Sequence, residues 1–556
     1  MKRGCPKSQK TFGQIFSFVL ICTKIKSMKR HNKVTFKEYN MYQLELPTDL
    51  EDLIPENHVV RLVNNIIEGM EIDLLISYYK GGGSSSYHPK MLLKVIVYAY
   101  TQKIYSSRKI AKALRENINF MWISGRNTPD FRTINRFRSG VMKGLIEETF
   151  EHVLTCLIEI GLVKLENYFL DGSKLEADAN KYSFVWKKSM KKHKEKLKVN
   201  IKNLLKQIEE ENEKENEIYG DEDLEEVGEN IEIDSEKLAQ KVKELEDKIR
   251  KINEERDIKK DSKEKDKELK KAVKTIRKDY LPRLKKYEEQ EKILGQRNSY
   301  SKTDTDAVFM RMKEDHMKNG QLKPGYNIQL GTENQYIINY TTHQRPGDSP
   351  CLIPHMEKLK DRLGKLPENL IADAGYGSEE NYDYLEKNGI ESYVKYQNFH
   401  LEQKRNFKDK IFRVENFPYD REKDEYICPG QRRMKFIKEI EYKTDNGYNT
   451  KRHIYECVSC KGCELKHLCT KAKGNRQIRI GIKLNEFKAK AKKKLCSEKG
   501  LELRSKRPVD VESVFGRLKH NWSFRRFFLR GIEKVTTELG ILSVAHNIAK
   551  LATALA

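Results

Sequence analysis

The sequence predicts an α/β fold with a helical N-terminal domain, a charged helical insertion and a small cysteine-rich lobe. Three observations predict it. Short apolar runs such as YFLD and LIAD read as buried strands and alternate with helical runs such as PCLIPHMEKLKDRL. A long Lys- and Glu-dominated stretch, from about 187 to 292, breaks that alternation. Five of the ten cysteines fall between Cys428 and Cys469. With 556 residues the chain exceeds the size at which one core keeps growing, so several domains are expected.

The basic extension 1–44 comes first, with ten Lys or Arg and one acid in its first forty residues. Its apolar string IFSFVLIC is too short to span a bilayer and lacks a small-residue cleavage pattern. A second start at Met28 makes the first 27 residues an overextended start or a basic arm. No membrane partner is expected.

Residues 45–160 form the helical domain, with VVRLVNNII and MLLKVIVYAYTQ on either side of the turn GGGSSSYHP. Within it, SSRKIAKALRENINF and FRTINRFRSGVM make two helices, the second capped by Asp130. Two readings stay open. In one, a helix-turn-helix brings Arg132, Arg136 and Arg138 to phosphates or base edges. In the other, this is an ordinary helical hairpin with solvated basic residues.

The α/β domain starts at 161–186, where KLENYFLD reads as a strand that ends at Asp171. The insertion 187–300 carries Leu238, Val242, Leu245, Ile249 and Ile252 at heptad spacing, which predicts a helical or coiled-coil hairpin; a charged spacer is the alternative. In 301–410, GYNIQLGT and QYIINYTTH predict a hairpin turning at Glu333 and Asn334, and ENLIADAGY a strand that ends at Asp373. A helix over 381–388 and a strand over 391–395 follow. Segment 481–556 returns to the α/β domain with helices over 509–520 and 530–554, the first carrying Glu512.

Two strand-borne aspartates and a helix-borne glutamate supply the hard oxygen ligands that Mg²⁺ or Mn²⁺ prefers, and such a set suits phosphoryl transfer. In a chain with 83 acids the trio does not stand on spacing alone. The 108 Lys and Arg leave a formal charge of +25, which favours a polyanionic partner without naming it.

The lobe 411–480 places Cys428 before CVSCKGCELKHLC. Cys428, Cys457, Cys463 and Cys469 could bind structural Zn²⁺ tetrahedrally; sets that include Cys460 and a group of reduced thiols are the alternatives. Clustered rather than dispersed cysteines suit a reduced, intracellular setting.

Four segments carry a family resemblance: YFLDGSKLEADANK, TDTDAVFMRMKEDHMKNGQLKPGYNIQ, NLIADAGYGSEEN and VESVFGRLKHNWSFRRFFLRG, in that order. They resemble bacterial insertion-sequence transposases with a DDE catalytic domain of ribonuclease-H-like fold, and YHPKMLLKVIVYAY resembles the N-terminal domain of the same group. The resemblance implies that Asp171, Asp373 and Glu512 hold the catalytic metal and that Lys519 contacts phosphate. Asp510 is the rival to Glu512. A related branch carries an arginine four residues before the glutamate; Pro508 stands there, with Arg507 or Arg504 as substitutes. Arg526 and Arg530 are expected to contact DNA or carboxylates, and the aromatics beside them either stack on an unpaired base or join the core. His316 and Asp306 are minor candidates.

The resemblance further implies cleavage of the element's ends and joining to target DNA. The partners would be double-stranded DNA with terminal inverted repeats and target DNA, bound by a homo-oligomer in the cytoplasm at the nucleoid. A transposase-derived DNA-binding protein without transposition is the alternative.

Overall fold

A computed structural model describes residues 49–71, 87–219, 234–256, 265–312, 322–444 and 446–555. The expectations for the basic extension and for His316 lie outside them. By internal contacts the chain falls into two units, Met1–Leu53 and Ile54–Ala556. Among the described residues no helix is long and apolar enough to cross a membrane.

The helical region begins with Val59–Glu68 and Pro89–Thr101. The second is apolar on nearly every side, so it is buried all round, packing against the equally apolar helix Ile532–Leu555. Asp130 caps the Phe131–Arg136 helix as predicted, accepting from the Thr133 amide at 2.7 Å. That helix runs on through a wide turn, Phe137–Val141, into Met142–Glu159. Arg138 departs from the sequence reading. It is buried, and it donates to the Tyr105 carbonyl at 2.6 Å and to the Tyr100 hydroxyl at 3.3 Å, which removes it from any DNA-facing surface. Arg132 and Arg136 are exposed.

The main sheet contains β1 (Asn167–Glu176), β4 (Val308–Arg311), β5 (Leu322–Glu333), β6 (Tyr336–His343), β7 (Asn369–Ala372) and β8 (Glu391–Val394). β1 lies between an antiparallel neighbour, β5, and a parallel one, β7, with β8 parallel beyond it. The far edge of β5 pairs with β4 and β6 in turn. The β5–β6 hairpin forms as expected, turning through Asn334 and Gln335, both at positive φ. Glu333 at its corner is buried, and its carboxylate accepts the amides of Lys164, Leu165, Glu166 and Asn167 at 2.7 to 3.0 Å. That contact locks the entry of β1 to the hairpin. One hydrophobic core joins the sheet to the helices that precede and follow it.

Among its described residues the insertion has three helices rather than a hairpin's two: Lys187–Tyr219, Ser235–Arg256, and a third running from Lys265 to Leu294 through a wide turn at Ile276–Tyr280. Leu238, Val242 and Leu245 of the predicted seam meet Leu197, Ile201 and Leu205 from the first helix and Val273, Ile276 and Leu284 from the third. A third apolar stripe closes a core that two helices would leave open. Paired strands β2 (Phe184–Trp186) and β3 (Ser299–Ser301) join the insertion to the sheet domain.

The cysteine region is a separate antiparallel sheet, ordered β13–β12–β11–β10–β9: β9 is Tyr419–Asp420, β10 Glu425–Ile427, β11 Arg433–Lys443, β12 Asn449–Cys457 and β13 Gln477–Ile480.

Candidate active site

Asp171 lies within β1, not at its end: the strand runs five residues further because β5 continues to pair with it as far as Glu176. Its parallel pairing with β7, however, stops at Leu170 opposite Ala372. Asp171 and Asp373 are therefore neighbours at the carboxyl edge of the parallel strands, where open α/β sheets bind ligands. Asp373 begins a tight turn, accepting from the Gly375 amide at 2.8 Å.

Glu512 arrives from a helical path that starts at Glu498, well before the predicted start near residue 509, with Ser497 accepting from the Gly500 amide at 3.1 Å. Pro508 lies inside that path. It has no amide hydrogen and its ring crowds the preceding turn, and here the helix widens into a π-turn over Pro508–Glu512. The widened turn sets Arg507 and Glu512 on the face toward the sheet. Arg507 Nη2 lies 3.0 Å from Asp171 Oδ1 and 3.9 Å from Asp373 Oδ2, and Nη1 lies 2.6 Å from Glu512 Oε1. One guanidinium thus joins all three predicted carboxylates.

The two sides of this cluster differ. Asp171 and Arg507 are buried, whereas the Asp373 and Glu512 side chains are 41% and 49% exposed, so the cluster opens on their side. Three carboxylates against one guanidinium carry excess negative charge, and a dication would offset it. The donor set therefore fits a hard divalent ion in kind. Among the described residues no group of three or more His, Cys, Asp or Glu side chains is gathered tightly enough to hold a metal, and in the acidic cluster Arg507 lies between the carboxylates.

Asp510 turns elsewhere. Two residues apart on a helix is about 200° of rotation, and Asp510 accepts from Thr332 Oγ at 2.5 Å and the Gln335 amide at 3.2 Å. Burial raises its pKa above the usual carboxylate range. It ties the helix to the β5–β6 hairpin.

A polar layer supports the aspartates, and sequence reading missed it. Asp348 Oδ1 accepts from Asn327 Nδ2 at 2.8 Å and Gln329 Nε2 at 3.1 Å, and the buried Tyr376 hydroxyl donates to Gln329 Oε1. A Cβ on Gly172 would lie 2.5 Å from both Asp348 Oδ1 and Gln329 Nε2, so the glycine after Asp171 permits this approach. The signal was present in the sequence as DGS and PGDS, but their meeting depends on register.

Lys519 is buried, and its ammonium donates to the Lys174 carbonyl of β1 at 3.0 Å. Arg526 and Arg530 are half-exposed and both pair with Asp178. Trp522 and Phe527 are core residues, while Phe528 is 45% exposed. Asp306 accepts from the Ile532 amide at 2.9 Å, holding the start of the Ile532–Leu555 helix rather than the carboxylates. A groove of about 1060 Å³ runs alongside, lined among others by Lys174, Trp186, Arg297, Arg345 and Arg452.

In the cysteine lobe, Gly430 packs against the sulfurs of Cys428 and Cys463. Cys457 and Cys460 are hydrogen-bonded, and burial pushes the Cys457 thiol up to about 12. Cys469 Sγ accepts from Arg476 Nη1 at 2.8 Å.

Family models match at both ends of this architecture. Residues 48–140 match the transposase domain DUF772, and residues 427–552, which include Glu512 but neither aspartate, match the transposase DDE domain. Both matched domains are transposase domains, and together they indicate a transposase. More particularly, the two matches support an insertion-sequence transposase of the DDE type. No curated protein and no solved structure matches the chain.

Proposed function

We propose that the chain cuts the ends of an insertion sequence and joins them to target DNA, with Asp171, Asp373 and Glu512 as the catalytic carboxylates. The observation that carries this reading is their convergence on Arg507 from two parallel strands and a helix. The strand order β6–β5–β1–β7–β8, with β1, β7 and β8 parallel and β5 reversed, supports a ribonuclease-H-like catalytic domain.

Both steps are in-line phosphoryl transfers: water attacks at the element's end, and the freed 3′-hydroxyl then attacks target DNA. Mg²⁺ or Mn²⁺ held by the three carboxylates would activate the attacking oxygen and stabilise the leaving one. The chain's own part is to fix those carboxylates. β1 and β7 hold the aspartates in register, and the π-turn at Pro508 brings Glu512 to them. Exposed Arg132 and Arg136, together with Arg526 and Arg530, are proposed phosphate contacts, the last two exchanging Asp178 for DNA. Lys519 is proposed to reach phosphate from beside β1. Two ends per reaction imply at least two protomers in the working complex.

The test is cleavage and joining of DNA carrying the element's two ends, with Mg²⁺ or Mn²⁺, comparing wild type with D171N, D373N and E512Q. Loss in all three with DNA binding and folding retained is expected. Undiminished activity in any one removes that residue. A wild type that binds the ends and never cuts them turns the reading to a transposase-derived DNA-binding protein.

A further inference from the structure

We infer that Lys395 and Arg504 form a phosphate site that seats the DNA strand against the carboxylate cluster; this rests on the reading of that cluster as a DNA-cutting centre. The need for such a site follows from charge. Without a dication, three carboxylates and one arginine repel an incoming phosphodiester, and cations beside the cluster that the carboxylates do not already use offset that repulsion.

Lys395 is in the right place. It follows β8 directly, and its amide donates to the Ala372 carbonyl at 3.4 Å, which puts it beside Asp373 on the same carboxyl edge. The turn after Asp373 packs tightly on it: a Cβ on Gly377 would lie 2.4 Å from the Lys395 carbonyl oxygen. That contact fixes the distance between the lysine backbone and the aspartate turn. Among the described residues, no ion pair or hydrogen bond engages the Lys395 ammonium. Burial, then Arg507 and Arg504, hold its pKa below the usual lysine range, while Asp373 and Glu512 act the other way.

Arg504 stands on the same helix, three residues before Arg507 and hence on nearly the same face. Its guanidinium lies 4.8 Å from the Phe399 ring centroid and donates through Nη1 to the Leu495 carbonyl at 2.9 Å. Among the described residues its Nη2 makes no hydrogen bond. A guanidinium edge left without an acceptor is a strong donor to a phosphate oxygen. The carboxylate nearby in sequence, Glu402, is already engaged by Tyr396 and Lys492. Exposed His400 adds a donor beside both cations. The result is a cationic shelf next to an acidic cluster, and it matches a strand whose reacting phosphate meets the carboxylates while a neighbouring phosphate meets the shelf.

The experiment measures binding of the full-length protein to a fluorescent duplex carrying the element's own terminal sequence, across a salt series without divalent metal, and cleavage of the same duplex with Mn²⁺. K395Q and R504Q should each weaken binding about tenfold and lower the slope of log K against log salt by about 0.9, the value for one lost phosphate contact. K395R should restore the slope. Thermal melts check that each variant folds. A K395Q protein with wild-type slope and wild-type cleavage overturns the inference and leaves the cutting centre standing. A wild type that neither binds nor cuts the duplex removes both.

Discussion

Arg507 Nη2 lies 3.0 Å from Asp171 Oδ1, and both side chains are about nine-tenths buried. This pair is the inner wall of the carboxylate cluster, and it holds a positive charge among acids that would otherwise repel one another. Breaking a buried pair by removing one partner typically costs about 3–5 kcal/mol, because the other charge stays buried. R507Q should therefore melt well below wild type without metal. Mn²⁺ should then raise the melting temperature of R507Q more than that of wild type, since a dication can take over the offset. Equal melting curves with and without Mn²⁺ would falsify the role assigned to Arg507.

Gly172 makes a second prediction. A methyl group there would collide with Asp348 and Gln329, the polar layer under the aspartates. G172A should lose cleavage more than tenfold while costing about 1–3 kcal/mol of stability. Gly140, whose Cβ would meet nothing within 4 Å, is the control: G140A should cut DNA at the wild-type rate.

Asp510 separates structure from catalysis. Its pKa is raised in the folded protein by burial, so the folded state binds its proton more tightly than the unfolded chain. Stability from this group is fully present below the ordinary carboxylate pKa and is lost as pH rises through the raised value. Wild type should gain melting temperature relative to D510N on acidification through that window. D510N should also retain cleavage that E512Q lacks; equal loss in both would reopen the choice between the two acids.

The cysteine lobe predicts a stoichiometry. Cys428 and Cys463 both approach Gly430, but Cys469 is engaged by Arg476 and no three thiols of the described residues are gathered to hold a metal, so a tetrahedral thiolate site would require the lobe to rearrange and would show as about one zinc per chain in purified protein. C428S and C463S should each lose the metal and lower the melting temperature. Wild-type protein purified in zinc-supplemented medium with no metal by mass spectrometry would leave the thiols as ordinary buried groups.

Hydrophobic periodicity determined much of this protein. Runs such as LIAD and YIINYTTH read as strands and form strands, the cap at Asp130 marked a helix, and the acid after each apolar run made Asp171 and Asp373 candidates. Those are local signals, carried by residues a few positions apart. The resemblance also preferred Glu512 to Asp510 as the helix acid and narrowed the arginine to Arg507 or Arg504 without choosing between those two.

The choice belonged to tertiary structure. Whether β1 stops pairing with β7 at Leu170, and whether the helix widens at Pro508, decide which charges meet across hundreds of residues. The same holds for Arg138, exposed by its motif and buried by the packing of Tyr100 and Tyr105, and for the third helix of the insertion. Side-chain type and local period fix what each segment can be. Only the register of strands and the direction of a helix face determine which residues it serves.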